Sequence, residues 1–459
     1  MALVVRSSRV VLPGGVHPAA ILVSRGRIAK VLPRDAPLAA EIEIDAGRSV
    51  VMAGLVDSHV HVNDPGRADW EGWESAGSAA AAGGTTTIVD MPLNSDPVTT
   101  TVAALEAKTA AAEGACRVDY GLWGGIVPGN RADLVPLLEG GALGFKAFLV
   151  PSGIDEFPPV GDAELGAAMA DVAPAGAPVL VHAEDADEIA RADAGALAAR
   201  PDSCAAWAAS RPPAAESRAV ARVADLCART GARAHIVHVA AEEALAEVAG
   251  ARAKGLRLSA ETCPHYLTLT AGDAADGDTR FKCAPPIREE RHREGLWRGL
   301  FDGTLALVAS DHSPCPPELK PAGDFARAWG GIAGLELRLA ATWTEGRRRG
   351  VTLTQLARWL AEAPARLAGL AERKGRIAVG MDADLVVWDP DSEFVVEARD
   401  LHQRHRGTPW EGRTLAGVVE TTILRGRVVY EGGRFHGAPG GRWLRRSGAA
   451  IGLAPTGAR

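Results

Sequence analysis

Six residues that can bind a metal or carry protons stand at the ends of apolar, strand-like segments. Two of them are His59 and His61 in GLVDSHVHVN, residues 54–63, where Asp57 has the same strand parity and so points to the same face. Two imidazoles and a carboxylate side by side are costly to bury without a partner, and they are donors that divalent metals accept. The alternative is an edge strand with two solvated histidines, because His-x-His alone is a weak motif.

The other four residues repeat this arrangement further along the chain. Lys146 lies in GFKAFLV, His182 ends PVLVHAE, His238 ends AHIVHVA and Asp311 follows LALVAS. Taken singly, such a histidine is more often a hydrogen-bonded core residue, and Asp311 could cap a following helix. A lysine in an apolar strand either extends to solvent or reacts with CO2 to give a carbamate, which can bridge two cations. Together the six residues predict a binuclear metal site.

The remaining histidines and the cysteines are predicted to lie outside this set. His235 has the opposite strand parity to His238, so it is predicted either to support the metal ligands from behind or to pack in the core. His265 could lie near the site but is assigned to holding a loop, and His312 is predicted to face away from Asp311. The cysteines are scattered with no Cys-x-x-Cys pair, which favours reduced thiols in the cytosol over a disulfide framework.

The elements that position the six residues alternate between apolar strands and Ala-rich helices from residue 53 to residue 370. Strands are predicted at 54–62, 85–91, 120–127, 144–150, 178–183, 234–240, 257–262 and 305–310, and helices at 71–82, 102–113, 162–173, 213–230 and 242–254. About eight such units with apolar strands predict a (β/α)8 barrel. In that fold the chemistry lies at the carboxyl ends of the strands, which is where the six residues stand.

Short Val/Ile-rich strands return on both sides of the barrel. Residues 1–52 and 371–440 are predicted to pair into one small β-sandwich domain that the barrel interrupts, with a strand at 375–379 among its elements. Residues 441–459 are predicted to form an extended or mobile tail.

Composition restricts the classes of function. The chain has 459 residues, 47% hydrophobic and 23% charged, which is typical of an ordinary folded protein. A net charge of −7 gives no basic surface for nucleic acid. No apolar run reaches the roughly 18 residues of a membrane span, and the first residues lack the features of a signal peptide. A cytoplasmic protein without nucleic-acid or membrane partners is therefore expected.

The motifs resemble the amidohydrolase superfamily, specifically its cyclic-amidase branch. The six residues match that branch's binuclear pattern in order and rough spacing, and GMDADLVVWDP at 380–390 is similar to the superfamily's C-terminal sheet segment. Within the branch, residues 63–95 and 145–160 together with ETCPHYL and FKCAPPIR are most similar to the allantoinases.

The resemblance implies a cofactor, a reaction and a set of substrate contacts. Two divalent ions, zinc or alternatively cobalt, manganese or nickel, would be bridged by N6-carboxylated Lys146 and a hydroxide. His59, His61 and Asp311 would hold one ion, and His182 and His238 the other. The hydroxide would open the hydantoin ring of allantoin to give allantoate, as in purine catabolism, with Asp311 as general base and then acid. The substrate contacts would be Asn94, the backbone around Cys283, Ser152 and Ser313, although Asn94 could instead shape a turn.

Two departures separate the chain from neighbouring members of the branch. Dihydroorotases place an arginine two residues after the second histidine, where this chain has Asn63. Dihydropyrimidinases and hydantoinases usually carry a tyrosine in the loop after the lysine, whereas residues 148–157 contain Ser152 and no tyrosine. A hydantoinase or dihydropyrimidinase acting on another cyclic amide and a metal-free scaffold remain the alternatives. The resemblance also implies a homo-oligomer, tetramer or dimer, that binds a small cyclic ureide.

Overall fold

Eight parallel strand positions form the centre of the molecule, a computed structural model that describes residues 2–192 and 194–446. The strands are hydrogen-bonded in chain order. The last position returns to the first, since Val60 pairs with His312 and the His61 N–H donates to the His312 carbonyl at 2.8 Å. These contacts close the predicted (β/α)8 barrel. Its strands are β6 (Leu55–Val60), β7 (Thr85–Asp90), β8 (Asp119–Leu122) with β9 (Gly124–Gly125), β10 (Phe145–Phe148), β11 (Pro178–His182), β12 (Arg233–Ile236), β13 (Leu258–Thr262) and β14 (Leu307–Val308).

The barrel strands are short and almost entirely buried, because helices cover their outer faces and side chains fill the interior. Every residue of β6, β7, β10 and β11 is buried. The third position is split at Trp123, whose backbone N–H still donates to the Asp90 carbonyl at 3.0 Å. The predicted strands at 120–127 and 305–310 are therefore correct in place, although the paired segments are shorter.

The helices between the strands begin and end at local signals. Thr101 and Ser203 accept hydrogen bonds as N-caps, and Gly231 ends the longest helix in the left-handed conformation. The five predicted helices are present within two residues at each end. The helices are α1 (Trp73–Ala82), α2 (Val102–Ala112), α3 (Leu134–Gly140), α4 (Asp162–Val172), α5 (Ala186–Arg191), α6 (Ala194–Ala199), α7 (Cys204–Ala209), α8 (Pro213–Thr230), α9 (Glu243–Ala253), α10 (Pro264–Thr268), α11 (Glu290–Asp302), α12 (Arg338–Arg348), α13 (Leu353–Ala357) and α14 (Ala363–Leu367).

Both ends of the chain contribute strands to one further sheet. Its order is β18-β17-β16-β15-β5-β1-β2-β3, with β4 also paired to β1. The antiparallel pair of β5 and β15 joins the amino-terminal flank to the carboxyl-terminal flank. The limits at residues 52, 370 and 440 stay a prediction. The strands are β1 (Ala2–Leu12), β2 (Gly15–Ser24), β3 (Arg27–Pro33), β4 (Ile42–Asp45), β5 (Val50–Ala53), β15 (Leu385–Val395), β16 (Thr414–Leu424), β17 (Arg427–Glu431) and β18 (Arg434–Phe435).

Two expectations about the carboxyl-terminal part change. The predicted strand at 375–379 is wrong, because Gly375 has a φ of +89° and the segment forms turns. The start of the predicted tail is extended but docked: Leu444 is buried and its N–H donates to the Tyr120 carbonyl at 2.7 Å. The rest of that tail, residues 447–459, lies outside the described residues.

Candidate functional site

A cavity of about 260 Å³ opens at the carboxyl ends of the barrel strands. All six residues predicted as metal ligands line it: His59, His61, Lys146, His182, His238 and Asp311. They come from β6, β10, β11 and the segments that follow β6, β12 and β14. Parallel strands therefore bring together residues that are up to 252 positions apart, from position 59 to position 311.

His59, His61 and Asp311 form one compact group within the cavity. Asp311 Oδ1 lies 3.1 Å from His59 Nε2 and 3.4 Å from His61 Nε2. Their donor atoms lie close enough together to share one metal ion. Burial lowers the pKa of His61 to about 4, so this imidazole is neutral and has a lone pair for a cation. Asp311 does not cap a helix, since no helix in the described chain begins at it.

His182 and His238 form a second group beside the first. Their ring centroids are 4.6 Å apart, and the ring centroid of His238 lies 5.5 Å from that of His59. His182 Nε2 lies 2.6 Å from Glu184 Oε2, which leaves Nδ1 for another ligand. His238 Nδ1 is buried and, among the described residues, has no hydrogen-bond partner. Burial and the neighbouring His182 lower the pKa of His238 well below its usual value, so it is also neutral.

Lys146 is fully buried among these groups. Its Nζ makes no hydrogen bond within the described residues and lies 4.9 Å from the centre of the Phe148 ring. Burial lowers its pKa to about 8, although Asp311 and Glu261 act in the opposite direction. An amine of this kind is partly uncharged near neutral pH, which is the form that reacts with CO2. An ordinary lysine would leave this amine without a partner, whereas a carbamate would turn the position into an oxygen ligand.

Two of the six residues have a backbone conformation that costs energy. His238 has a φ of +42° and Asp311 a φ of +47°, both in the left-handed region that side chains other than glycine disfavour. Asn63 and Asn94 near the same mouth are also left-handed, at +65° and +67°. Such strain persists only where the surrounding structure holds it, and it concentrates at functional sites.

Glu261 on β13 is a functional residue that the sequence analysis missed. Its Oε1 lies 2.6 Å from His59 Nδ1, and its Oε2 lies 3.0 Å from His235 Nε2. Burial alone would raise its pKa, but the hydrogen bonds from His235 and His59 lower it to about 2. A charged Glu261 holds the proton of His59 on Nδ1 and turns Nε2 towards Asp311. A carboxylate inside the strand segment LSAET was the available signal.

Asp57 and His312 have structural contacts. Asp57 was predicted to point to the same face as His59 and His61, but it does not line the cavity. Asp57 accepts from the Ser310 N–H at 3.2 Å and lies 3.3 Å from Arg338 Nε, so it binds strands at the barrel closure. His312 accepts from the Leu335 N–H through Nδ1 at 3.3 Å.

Two further donors stand close to Asp311. Cys263, His265 and Asp311 also lie within reach of a single ion. Burial raises the pKa of the Cys263 thiol well above its usual value, which disfavours the thiolate that metals require. Both nitrogens of His265 are buried without a hydrogen-bond partner in the described chain. Its predicted role of holding a loop therefore rests on packing against Tyr266, whose ring centroid lies 4.2 Å from that of His265.

Three of the four predicted substrate contacts line the cavity. Asn94 Oδ1 is buried without a partner among the described residues, and its backbone carbonyl accepts from Arg67 at 3.1 Å. The Ser152 hydroxyl donates to the Phe157 carbonyl at 2.7 Å, and the Ser313 hydroxyl to the Asp311 carbonyl at 2.8 Å. Both hydroxyls keep acceptor capacity towards the cavity.

Cys283, the fourth predicted substrate contact, is not part of the cavity lining. Trp207 Nε1 donates to its carbonyl at 2.9 Å. Its neighbour Ala284 lines the wall in its place.

The outer wall of the cavity consists of residues that the sequence analysis did not identify. Trp207, Arg211, Lys282, Arg327 and Trp329 all line it. Arg211 is held by Glu184 through two hydrogen bonds of 2.9 and 2.6 Å, and Lys282 Nζ lies 4.3 Å from the Trp207 ring centre. These residues stand in loops and a short helix, and only the tertiary structure places those segments over the barrel mouth.

Comparisons with known proteins agree with this geometry. The model of the Amidohydrolase family matches residues 50–429. An allantoinase of Streptomyces avermitilis is 49% identical over 446 residues, covering 97% of this chain and 98% of that protein. An allantoinase of Saccharomyces cerevisiae is 41% identical, covering 93% of this chain and 95% of its own. Among solved structures, the L-hydantoinase (dihydropyrimidinase) of Arthrobacter aurescens superposes with a TM-score of 0.93 at 34% identity, covering 97% of this chain and 99% of that one.

Proposed function

The chain belongs to the amidohydrolase family, and from that premise we propose that it hydrolyses the hydantoin ring amide of allantoin to give allantoate. The observation that carries the proposal is the convergence of six metal-binding residue types in one cavity of a chain that is 40–49% identical to allantoinases. The hydantoinase structures share the fold and the barrel, but their identity to this chain is lower, at 28–34%.

We propose that the cavity holds two divalent cations, zinc or alternatively cobalt, manganese or nickel. His59, His61 and Asp311 would hold one ion, His182 and His238 the other, and Lys146, carboxylated on Nζ, would bridge them. The buried Lys146 amine and His238 Nδ1 have no other partner in the described chain, which supports this assignment. When bound, such ions supply Lewis acidity and an acidified water at neutral pH.

The chain's own residues would orient the reactants and move the proton. Asp311 Oδ1 faces into the cavity beside His59 and His61, where its carboxylate can accept a proton from the attacking water and pass it to the leaving ring nitrogen. Neighbouring histidines hold the pKa of Asp311 well below its usual value, so it begins the reaction as a base. Asn94, Ser152 and Ser313 would hydrogen-bond the substrate, as would the backbone near Cys283.

Allantoin is favoured over dihydroorotate by the residue at position 63. Asn63 is buried and carries an uncharged amide, whose Nδ2 lies 3.5 Å from the Pro314 carbonyl oxygen. It offers no positive charge to a substrate carboxylate, which is the group that distinguishes dihydroorotate. A hydantoinase or dihydropyrimidinase activity remains the second candidate, because the structural similarity to those enzymes extends over 97% of the chain.

The test is a steady-state comparison of allantoin, hydantoin, dihydrouracil and dihydroorotate on the same metal-loaded protein. We expect kcat/KM for allantoin to exceed that for each other ring by at least about tenfold, equivalent to roughly 1.4 kcal/mol of transition-state binding. Asp311→Asn keeps the size of the side chain and should remove turnover of every substrate. A preference for hydantoin or dihydrouracil would instead assign the second candidate.

We propose, finally, that the protein works as a homo-oligomer, tetramer or dimer, in the reducing cytoplasm. All six cysteines are buried and unpaired, which is typical of a reducing compartment. No helix in the described part of the chain has the length and apolar character needed to cross a membrane.

A further inference from the structure

A second cavity lies at the opposite end of the barrel, where the strands begin. It has a volume of about 230 Å³, and the polar and charged residues that line it are Arg233, Arg358, Arg366, Glu362, His235 and Ser259. Arg233 is the first residue of β12, and Ser259 is the second residue of β13. We call this cavity, defined by these six residues, the barrel-base pocket.

Positive charge in and beside the barrel-base pocket exceeds negative charge. Arg366 is paired with Glu362 at 2.7 Å. Arg233 and Arg358 make no ion pair with a carboxylate of the described residues, although the Arg233 guanidinium donates to the Arg366 carbonyl at 3.3 Å.

Two further arginines stand next to Arg233. The Nη2 atoms of Arg257 and Arg446 lie 3.5 and 3.7 Å from the place where a side chain on Gly176 would begin, so the two guanidinium groups converge. Neither has a carboxylate partner in the described part of the chain.

The convergence has an energetic consequence for Arg233. Burial lowers its pKa to about 10, and the charges of Arg257 and Arg446 act in the same direction. A partly buried cation normally has a partner, but no carboxylate of the described residues forms an ion pair with Arg233. Glu362, the acidic residue of the pocket, pairs with Arg366 instead. Guanidinium groups match oxyanions with two parallel hydrogen bonds, so a cluster of them around a cavity is suited to such a ligand.

We propose that the barrel-base pocket binds a small oxyanion, the phosphate or carboxylate group of a metabolite. Arg233 and Arg358 would supply its charge-assisted hydrogen bonds, and Ser259 a neutral one. Arg257 and Arg446 would add long-range attraction from the rim. The proposal does not depend on the substrate of the catalytic cavity.

The pocket is joined to the catalytic cavity by a line of hydrogen bonds through the barrel interior. Ser259 Oγ lies 2.8 Å from His235 Nδ1, and His235 Nε2 lies 3.0 Å from Glu261 Oε2. The other oxygen of Glu261 lies 2.6 Å from His59 Nδ1. Ser259 therefore stands three hydrogen bonds from His59 of the catalytic cavity, and an oxyanion bound to Ser259 would stand four away.

The test measures binding of inorganic phosphate and of acetate to the full, metal-loaded chain, with chloride at equal ionic strength as the reference. Isothermal titration should give one site per chain outside the catalytic cavity, and the anion should raise the melting temperature. We expect Arg233→Gln and Arg358→Gln each to weaken binding about tenfold or more. Arg298→Gln changes an exposed arginine paired with Glu242 and should leave binding unchanged.

The variants also separate lost binding from lost folding. Arg233→Gln removes a charge that repels its arginine neighbours, so the melting temperature of this variant in chloride should equal or exceed that of the parent. Arg358 is exposed, so Arg358→Gln should also keep the parent's melting temperature in chloride. Binding of phosphate alone or of acetate alone supports the pocket and identifies the class of oxyanion. Failure of both anions to bind, or unchanged binding to the Arg233→Gln/Arg358→Gln double variant, would overturn the proposal.

Discussion

At the scale of single residues, two features characterise the site: a buried amine without a hydrogen-bond partner among the described residues and a histidine whose orientation is fixed by a neighbouring carboxylate. Lys146 is buried without a hydrogen-bond partner in the described chain, and His59 is oriented by Glu261. Lys146 was recognisable from the sequence because a lysine is costly in an apolar strand. Glu261 was not, because its role exists only once the closed barrel brings β13 within hydrogen-bond distance of β6, across the intervening β14.

Lys146→Ala tests the carbamate directly. Metal content and allantoin turnover should fall together, turnover by about 100-fold or more, because the change removes a ligand rather than one of its outer partners. Acetate or propionate should partly restore both by filling the vacated space with a carboxylate. Metal content is measured by elemental analysis on the sample used for kinetics. Full activity in Lys146→Ala would rule the carbamate out.

Glu261→Gln tests the orienting carboxylate through its pH dependence. The pKa of Glu261 falls from the usual 4.5 to about 2 on folding, so its charged form stabilises the fold above pH 4.5. That stabilisation, about 3 kcal/mol, is lost as the pH falls from 4.5 towards 2. Urea unfolding of the metal-free protein should therefore show a deficit for Glu261→Gln at pH 7 that shrinks through this window. A deficit that is independent of pH would contradict the ionised state of Glu261.

At the scale of elements, a buried ion-pair network joins the barrel to the flanking sheet. Lys374 Nζ lies 2.6 Å from Asp119 on β8 and 2.5 Å from Asp384 beside β15, and Asp382 is 3.1 Å away. Burial alone would lower the pKa of Lys374, but these carboxylates raise it above its usual value. The motif containing Asp384 was recognised in the sequence by resemblance, whereas its contact with β8 needed the three-dimensional structure.

Lys374→Met should destabilise the protein by about 3–5 kcal/mol, because it leaves the buried carboxylate of Asp384 without its ion-pair partner. Asp119 and Asp382 keep ion pairs with Arg425 and Arg373. Lys30→Met, an exposed position on β3, serves as the matched control and should change stability by less than about 0.5 kcal/mol. Both are measured as free energies of unfolding in urea at pH 7. Equal effects of the two substitutions would show that the network does not hold the barrel and the sheet together.

At the scale of the whole molecule, regular patterns were predictable and irregular segments were not. The alternation of apolar strands and helices predicted the barrel, and strand-end positions identified the residues that converge in its mouth. The loops that carry Trp207, Arg327 and Trp329 have no periodicity that would place them on the cavity wall. The segment at 375–379 is apolar enough to predict a strand, yet the left-handed Gly375 turns it. The outer wall of the cavity was the least predictable part, because it depends on loop positions.

The binuclear metal site and the proposed activity can be tested together by titrating metal-free protein with zinc in bicarbonate buffer while allantoin hydrolysis is followed. We expect turnover to rise with added zinc and to reach its maximum at about two equivalents per chain. A maximum at one equivalent would contradict the binuclear assignment of His182, His238 and Lys146. Allantoin hydrolysis by the metal-free protein, or no hydrolysis at any zinc concentration, would contradict the proposed function itself.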